Sequence, residues 1–421
     1  LLAVLKKAGV VDAGAQGFVD LLHGIFNFIK SGDLRGFKAD INKHELNVKI
    51  KDTNNVENSE YRYCTECLIQ DENINHKDLR EKLQIDGDSL VLAGSKKKAK
   101  VHIHVNKPTD VFQICSEFGD VTNEKADDMW KQQEIMKNKM ASDIAIVADS
   151  GADIPDDIDL DIHTVPVRYN FGNTGYIDKL SQTSEEFYKE LKSNPHHPQT
   201  SQPTPGDFRR QYQYLQSHYN SVISIHLPHE MSGTYQSAIN ASKRINDYPI
   251  AIIDGLSASV GLGLIVMKAA SLAKNGMNHK DIEESLPTII SSTDIFLVVK
   301  DLSYVVRGGR LPSWIKTIAD FLHVRPILTT KKNGSMGAAG IIKGTKNLPQ
   351  KMSKFVLNKM DSNKSYNVSI GHSNTLENGT QLMELIKNSQ KKVNSIYLMD
   401  IGCALGVHAG PGSLAVAIQP I

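Results

Sequence analysis

Ile144-Ala145-Ile146-Val147-Ala148, running into Asp149-Ser150-Gly151-Ala152-Asp153, is the stretch on which the fold turns. The apolar run is rich in β-branched residues, long enough for a buried strand and too short for a helix. It breaks into a loop of glycine, hydroxyl and carboxylate. Short apolar runs of the same kind recur at 222–225, 250–253, 295–299, 367–370 and 396–400. Between them lie stretches with helical periodicity at 185–191, 208–218, 235–245, 262–274, 280–289 and 375–387. Strand and helix in alternation predict an α/β fold with a mainly parallel sheet covered on both faces. In such sheets ligands sit at the loops after the strands' carboxyl ends.

Toward the amino terminus the pattern changes. Residues 1–30 are periodic as a helix, with Phe18, Leu21, Leu22, Ile25, Phe26 and Ile29 on one face. The chain opens inside an apolar segment, Leu1-Leu2-Ala3-Val4-Leu5, so further helical sequence is expected upstream. Residues 31–60 are polar and aperiodic, as in a linker. A small unit follows, with strands expected at 61–69 and 100–105, a helix near 76–83, and a turn at Gly94-Ser95. Residues 123–140 are expected to be a charged helix. The division expected is 1–34, the end of a helical domain; 35–140, a small α/β middle domain with its linker helix; and 141–421, the carboxy-terminal module.

Composition narrows the class. The 421 residues are 40% hydrophobic and 23% charged, which permits a full core. Lys plus Arg is 48 against 47 for Asp plus Glu, a balance with no general pull toward nucleic acid or an anionic membrane surface. The four cysteines, at 64, 67, 115 and 403, form no disulfide framework. With no long apolar run and no signal-peptide pattern, a cytoplasmic location without stable membrane insertion is expected.

Glycine and hydroxyls concentrate in a few loops of the carboxy-terminal module: Asp149–Asp153, Thr200-Ser201-Gln202-Pro203, Ser232-Gly233-Thr234-Tyr235-Gln236-Ser237-Ala238, and Gly406-Val407-His408-Ala409-Gly410-Pro411-Gly412. Arg307-Gly308-Gly309-Arg310 adds positive charge. Each loop alone has the chemistry of a turn or a helix cap. Together, placed after strands, they suit anion capture. Backbone N–H groups approach closely at glycine, and helix amino termini favour negative charge. A carboxylate leaving water needs such charge-assisted donors.

The ordered series Ala148-Asp149-Ser150, Val165-Pro166-Val167, Tyr176-Ile177-Asp178, Thr200-Ser201-Gln202-Pro203, Ser232 to Ala238, Gly308-Gly309-Arg310 and His408 to Gly412 resembles the DegV family of bacterial fatty-acid-binding proteins across 143–421. The resemblance implies two α/β lobes with a long acyl chain between them. It implies Ser150, Thr200, Ser201, Ser232, Gly233, Thr234, Arg310 and His408 as ligand-binding residues. Arg310, placed to neutralise a phosphorylated head group, and His408 are the catalytic candidates. The chain departs from the family at Leu227-Pro228-His229-Glu230-Met231, where serines are usual and Glu230 would bring negative charge toward a bound carboxylate.

In Lys100-Val101-His102-Ile103-His104-Val105 the side chains alternate, so His102 and His104 share one face. Cys64 and Cys67 would point to opposite faces of their strand. Cys64, His102 and His104 would then give three ligands suited to zinc and leave one position open. The alternative is a pair of surface histidines on a half-buried strand. Tyr63-Cys64-Thr65-Glu66, Leu79 to Leu83, Gly87 to Val91 and Val101 to Asn106 resemble the middle domain of bacterial fatty acid kinase, whose paired histidines and cysteine match these positions. Lys7 to Gly17 resembles the end of that enzyme's nucleotide-binding domain, of the dihydroxyacetone kinase L type.

The resemblance thus implies a carrier that presents a fatty acid for ATP-dependent phosphorylation to acyl phosphate. That reaction needs a phosphate cradle and magnesium-holding carboxylates. No such pattern precedes Ile144, so ATP and magnesium are expected only with a kinase domain, either upstream or in another protomer. The further partner considered is a second copy of the chain, as a homodimer. Two other functions compete: a zinc- or cysteine-dependent phosphoryl-transfer site in the middle domain, and a lipid-sensing module that regulates a kinase.

Overall fold

Helix α1 (Ala13–Ser31) follows the expected amino-terminal periodicity. The chain is seen here as a computed structural model that describes residues 13–31, 60–84, 87–130, 142–344 and 346–421. Residues 32–59 of the linker expected at 31–60, the opening apolar segment and residues 131–140 of the expected charged helix lie outside the described residues. Residues 60–421 make one compact unit. No helix among the described residues is long and apolar enough to cross a membrane.

The middle domain runs β1 (Tyr63–Gln70), α2 (His76–Leu83), β2 (Gly87–Ser95), β3 (Lys98–Val105), α3 (Pro108–Ser116) and β4 (Asp120–Asp128). Its sheet has the order β2-β3-β1-β4, antiparallel throughout. Val101, Ile103 and Val105 are buried beneath the helices, with Leu79 and Val111. His102 and His104 take the other, half-exposed face.

Two expectations change here. Gly94-Ser95 is the end of β2, and the turn falls at Lys96-Lys97. Residues 120–128 are a strand and not the start of a charged helix. The reason is long-range. β4 completes the edge beside β1, with Val121 and Ala126 against the core and Lys125 and Asp127 opposite Glu66 and Cys64 on the open face. Local periodicity carries no record of such pairing. The expected boundary near residue 140 also crosses packed surface, since Ile177 joins the middle domain's core and Arg168 donates to the Glu124 carbonyl at 3.1 Å.

The first lobe of the carboxy-terminal module contains β5 (Ile144–Asp149), β6 (Ile162–Val165), β7 (Arg168–Phe171), β8 (Thr174–Ile177), α4 (Ser184–Ser193), β9 (Gln199–Ser201), α5 (Pro205–Gln216), β10 (Ser221–His226), α6 (Thr234–Ser242), β11 (Ile250–Asp254), α7 (Ser259–Lys274) and α8 (His279–Ser292). Strands β11-β10-β5-β6 form a wholly parallel sheet, as expected. Strands β8-β7-β9 form a small antiparallel sheet beside it.

The second lobe contains β12 (Asp294–Val298), α9 (Ser303–Arg307), α10 (Ser313–Phe321), β13 (Val324–Thr330), β14 (Met336–Lys343), α11 (Leu348–Lys359), β15 (Ser365–His372), α12 (Leu376–Lys387), β16 (Lys392–Asp400), α13 (Cys403–Ala409) and β17 (Leu414–Pro420). Its sheet has the order β14-β13-β12-β17-β15-β16. Only β15 and β16 run parallel; the other neighbours are antiparallel. The class is α/β as expected, but the parallel arrangement holds for the first lobe alone. A β13–β14 hairpin and the return of β17 between β12 and β15 set the other directions.

Helix α7 is apolar nearly all round and packs against both lobes' sheets, as a fully buried helix must. Gly263 lets it close on the loop after β5: a Cβ there would lie 1.9 Å from the Asp153 carbonyl oxygen. In β17, Leu414, Val416 and Ile418 face one core while the small Ala415 and Ala417 face the α7 side. Ala415 borders a space between the lobes.

Candidate functional site

That space is a cavity of about 440 Å³. Leu227, Ile295, Leu297, Leu328, Ile401, Leu405 and Ala415 give it apolar walls. Thr200, Ser201, Gln202, Ser232, Gly233, Arg310 and His408 supply polar lining. Gly151 and Leu227 border it just beyond the carboxyl ends of parallel strands β5 and β10, where α/β sheets place ligands.

The polar groups come from four elements. Thr200 lies on β9, paired opposite Tyr169, and its Oγ1 is 3.1 Å from His408 Nε2 on α13. Burial, then the Arg310 charge and the nearby His197, push the His408 imidazole down to about 4, so it is neutral near pH 7. Its Nδ1 is buried without a partner. Gly308 makes room for the ring, since a Cβ there would lie 2.0 Å from Nδ1. Arg310 is exposed and grips the Met231 carbonyl through Nε at 3.3 Å and Nη2 at 3.2 Å. It therefore ties the loop before α10 to the residue preceding Ser232.

Gly233 is the N-cap of α6, whose first N–H groups have no intrahelical acceptors. The Ser232 hydroxyl lies 2.8 Å from that of Thr234. A Cβ at Gly233 would lie 2.0 Å from Gln202 Oε1, so glycine is what lets Gln202 approach and donate to Ser237 Oγ at 3.3 Å. Positive charge at Arg310, hydroxyls and a helix amino terminus at the end of an apolar slot can hold an anionic head on an apolar tail.

Most of the expected ligand-binding residues meet at this cavity, and two do not. Ser150 is fully buried; it donates to Asp178 Oδ2 at 2.6 Å and accepts from the Val167 N–H at 3.0 Å. It belongs to the frame, because its proton and an acceptor lone pair are already committed inside the first lobe. Thr234 is also fully buried, behind Ser232, and does not line the cavity. Glu230 turns away: it pairs with His229 Nε2 at 3.3 Å, while His229 Nδ1 contacts Asp254 at 2.6 Å. The substituted stretch before Ser232 thus brings no carboxylate into the cavity. Gln202 and the apolar walls were not singled out from sequence. The apolar residues look like any core; the small alanines alternating along β17 were the one local signal.

A family model described as "Uncharacterised protein, DegV family" matches residues 143–420. The chain belongs to the DegV family. A second model, for the middle domain of fatty acid kinase-like proteins, matches residues 60–136. A DegV domain-containing protein of Caldanaerobacter subterraneus is 31% identical over 278 residues, 66% of this chain and 98% of that protein. Among solved structures, a DegV family protein of Thermus thermophilus, described by its fatty acid binding, is 26% identical with a TM-score of 0.62, covering 66% of this chain and 99% of its own. DegV of Bacillus subtilis, described as a fatty acid binding protein, is 28% identical with a TM-score of 0.61, covering 66% and 100%. The DegV match thus spans both lobes.

The middle domain brings a second group together. Cys64 pairs opposite His104 across β1 and β3, and Glu66 opposite His102. Among the described residues, Cys64, His102 and His104 are the one group whose ligand atoms converge, within 4.8 Å of one another. Cys67 is buried on the opposite face, as expected. His102 Nδ1 contacts Glu66 Oε1 at 3.0 Å and His104 Nδ1 contacts Asp88 Oδ1 at 3.1 Å. His102 Nδ1 also lies 3.8 Å from Cys64 Sγ, so a carboxylate stands beside each imidazole, as is common around metal-ligating histidines. A thiol and two imidazoles suit zinc.

Proposed function

We propose that the DegV module of this chain holds one long-chain fatty acid, its carboxylate at Thr200, Ser201, Ser232, Gly233, Arg310 and His408 and its chain between the lobes. The observation that carries this reading is one cavity with polar groups gathered against otherwise apolar walls. The tail supplies affinity, at about 0.8 kcal/mol per buried methylene. The head-group residues set orientation. Neutral His408 and the Thr200 hydroxyl offer hydrogen bonds, and Arg310 supplies the charge; the two cavity-facing residues His408 and Arg310 are also the candidates to act on a phosphorylated head group. The fatty acid binding described for the Thermus thermophilus and Bacillus subtilis relatives supports the same reading.

The middle-domain match supports a finer statement: the bound acid is presented to a kinase domain, upstream or in another protomer, for conversion to an acyl phosphate. Four free cysteines support a reducing, cytoplasmic setting. Native mass spectrometry of the protein purified from bacterial cells tests the first statement. A co-purified fatty acid supports it; an empty cavity, or one holding a sugar or phosphate alone, refutes it.

A second reading concerns Cys64, His102 and His104. Their convergence favours a zinc ion with one open position, on which a phosphoryl oxygen could be polarised. Burial pushes the Cys64 thiol up, which disfavours a free thiolate nucleophile and leaves the metal role the stronger one.

A further inference from the structure

Two acidic motifs of the sequence, Asp149–Asp153 and Tyr176–Asp178, lie beside the cavity, yet their carboxylates point elsewhere. Asp153 Oδ1 accepts the Gly402 N–H at 3.0 Å, and its Oδ2 accepts the Ser259 hydroxyl at 2.6 Å. Asp178 Oδ1 accepts the Ala404 N–H at 2.9 Å. Gly402 and Ala404 begin α13, the second-lobe helix that carries His408. Asp153 and Asp178 are each 1% exposed and come from the first lobe. Lys179 joins them, its Nζ 3.1 Å from Asp153 Oδ1 and 2.7 Å from the Ala152 carbonyl.

The local backbone is shaped for this contact. Lys179 has φ of 63°, a left-handed conformation that costs a non-glycine residue free energy and persists only when its surroundings impose it. Gly402 has no Cβ where one would lie 3.0 Å from Lys179 Cε and 3.3 Å from Asp153 Oδ1. Two carboxylates at a helix amino terminus also complement its dipole.

Resting on the fatty-acid reading of the cavity, we propose that Asp153, Asp178 and Lys179 form a clamp between the lobes that sets the position of α13, making them positioning residues for carboxylate recognition by the His408–Thr200 pair. His408 lines the cavity from this one short helix, so the placement of the helix's first turn orients the imidazole at the polar end. Burial works against the Lys179 charge, and the neighbouring Asp153 and Asp178 outweigh it, so the ammonium persists as the clamp's centre.

The test is the affinity of dodecanoic acid relative to 1-dodecanol, which share a tail and differ in the head. It is measured with wild type, Asp178→Asn and Lys179→Gln, alongside thermal unfolding. The expected result is a tenfold or greater fall in the acid-to-alcohol ratio in either variant, with alcohol affinity within about threefold of wild type. Adding His408→Ala to Asp178→Asn should then cost little more than either change alone, because both act on one contact. An unchanged ratio, or equal weakening of both ligands with a lowered melting temperature, overturns the proposal and leaves the cluster as a structural tie. Lys179→Gln keeps the test decisive should Asp178→Asn not fold, since a third of the Lys179 side chain is exposed. If wild type binds neither ligand, or binds both equally, the fatty-acid reading itself has failed, which is a distinct result.

Discussion

Thr200 Oγ1 and His408 Nε2, 208 residues apart in the chain, lie 3.1 Å apart across the boundary between the lobes. This contact joins two of the residues proposed to hold the head group. Hydrogen bonds to a charged group contribute about 1.5–3 kcal/mol each. Thr200→Val and His408→Ala should each weaken fatty acid binding by roughly 10- to 100-fold on that scale. Titration calorimetry with a soluble fatty acid reads this directly; unaltered affinity in both variants would rule the contact out of head-group binding.

Gly308 separates the loop before α10 from the His408 ring. A methyl group there would lie 2.0 Å from Nδ1. Gly308→Ala should displace the imidazole from Thr200 and reduce affinity about as much as His408→Ala does. Because the backbone angles at Gly308 are helical, the melting temperature should change little.

The buried imidazole of His408 predicts acid sensitivity. Its folded value is about 4, whereas an unfolded histidine takes up its proton near pH 6.5. The unfolded state therefore binds the proton first, and stability falls as the pH drops. The contribution is full above about pH 6.5 and is lost progressively down to about pH 4. Urea unfolding at pH 7 and pH 4.5 should show a smaller difference in His408→Phe than in wild type. Equal differences would contradict the assignment.

The apolar walls predict a chain-length series. Each added methylene that enters the cavity should tighten binding by about 0.8 kcal/mol, roughly fourfold, until the slot is filled. Leu297→Ala should flatten the upper part of that series while leaving short acids nearly unaffected. Competition between saturated acids of increasing length measures both effects.

The middle domain should bind one zinc ion per chain, detectable by elemental analysis after purification without chelator. His102→Ala, His104→Ala or Cys64→Ala should abolish it. Glu66→Gln and Asp88→Asn, which remove the carboxylates behind the two imidazoles, should lower affinity by about 10- to 100-fold in a chelator competition. Retention of zinc in the double histidine variant would place the metal elsewhere.

Much of this was legible in the residues alone. The run from Ile144 to Asp149 is a strand, and the helix expected at 76–83 is α2. Alternation along Lys100 to Val105 put both histidines on one face because strand side chains alternate strictly. The glycine and hydroxyl loops marked the polar end of the cavity because those residue types are what close backbone approach and anion capture require. Ser150 misled because its type suits a ligand, while its partner Asp178 is distant in sequence.

The sequence by itself determined the α/β class, the strand–helix alternation of the first lobe and the concentration of glycine and hydroxyls in a few loops, since strand period, helix period and loop chemistry are all local properties. Only the tertiary structure decided that β4 is a strand, that the second sheet is mostly antiparallel, and that Thr200 and His408 meet. It also decided that Glu230 faces away to His229, and that Ala415 on β17 borders the space between the lobes. Each of these depends on which surfaces pack together from distant parts of the chain, and packing is a property of the folded whole.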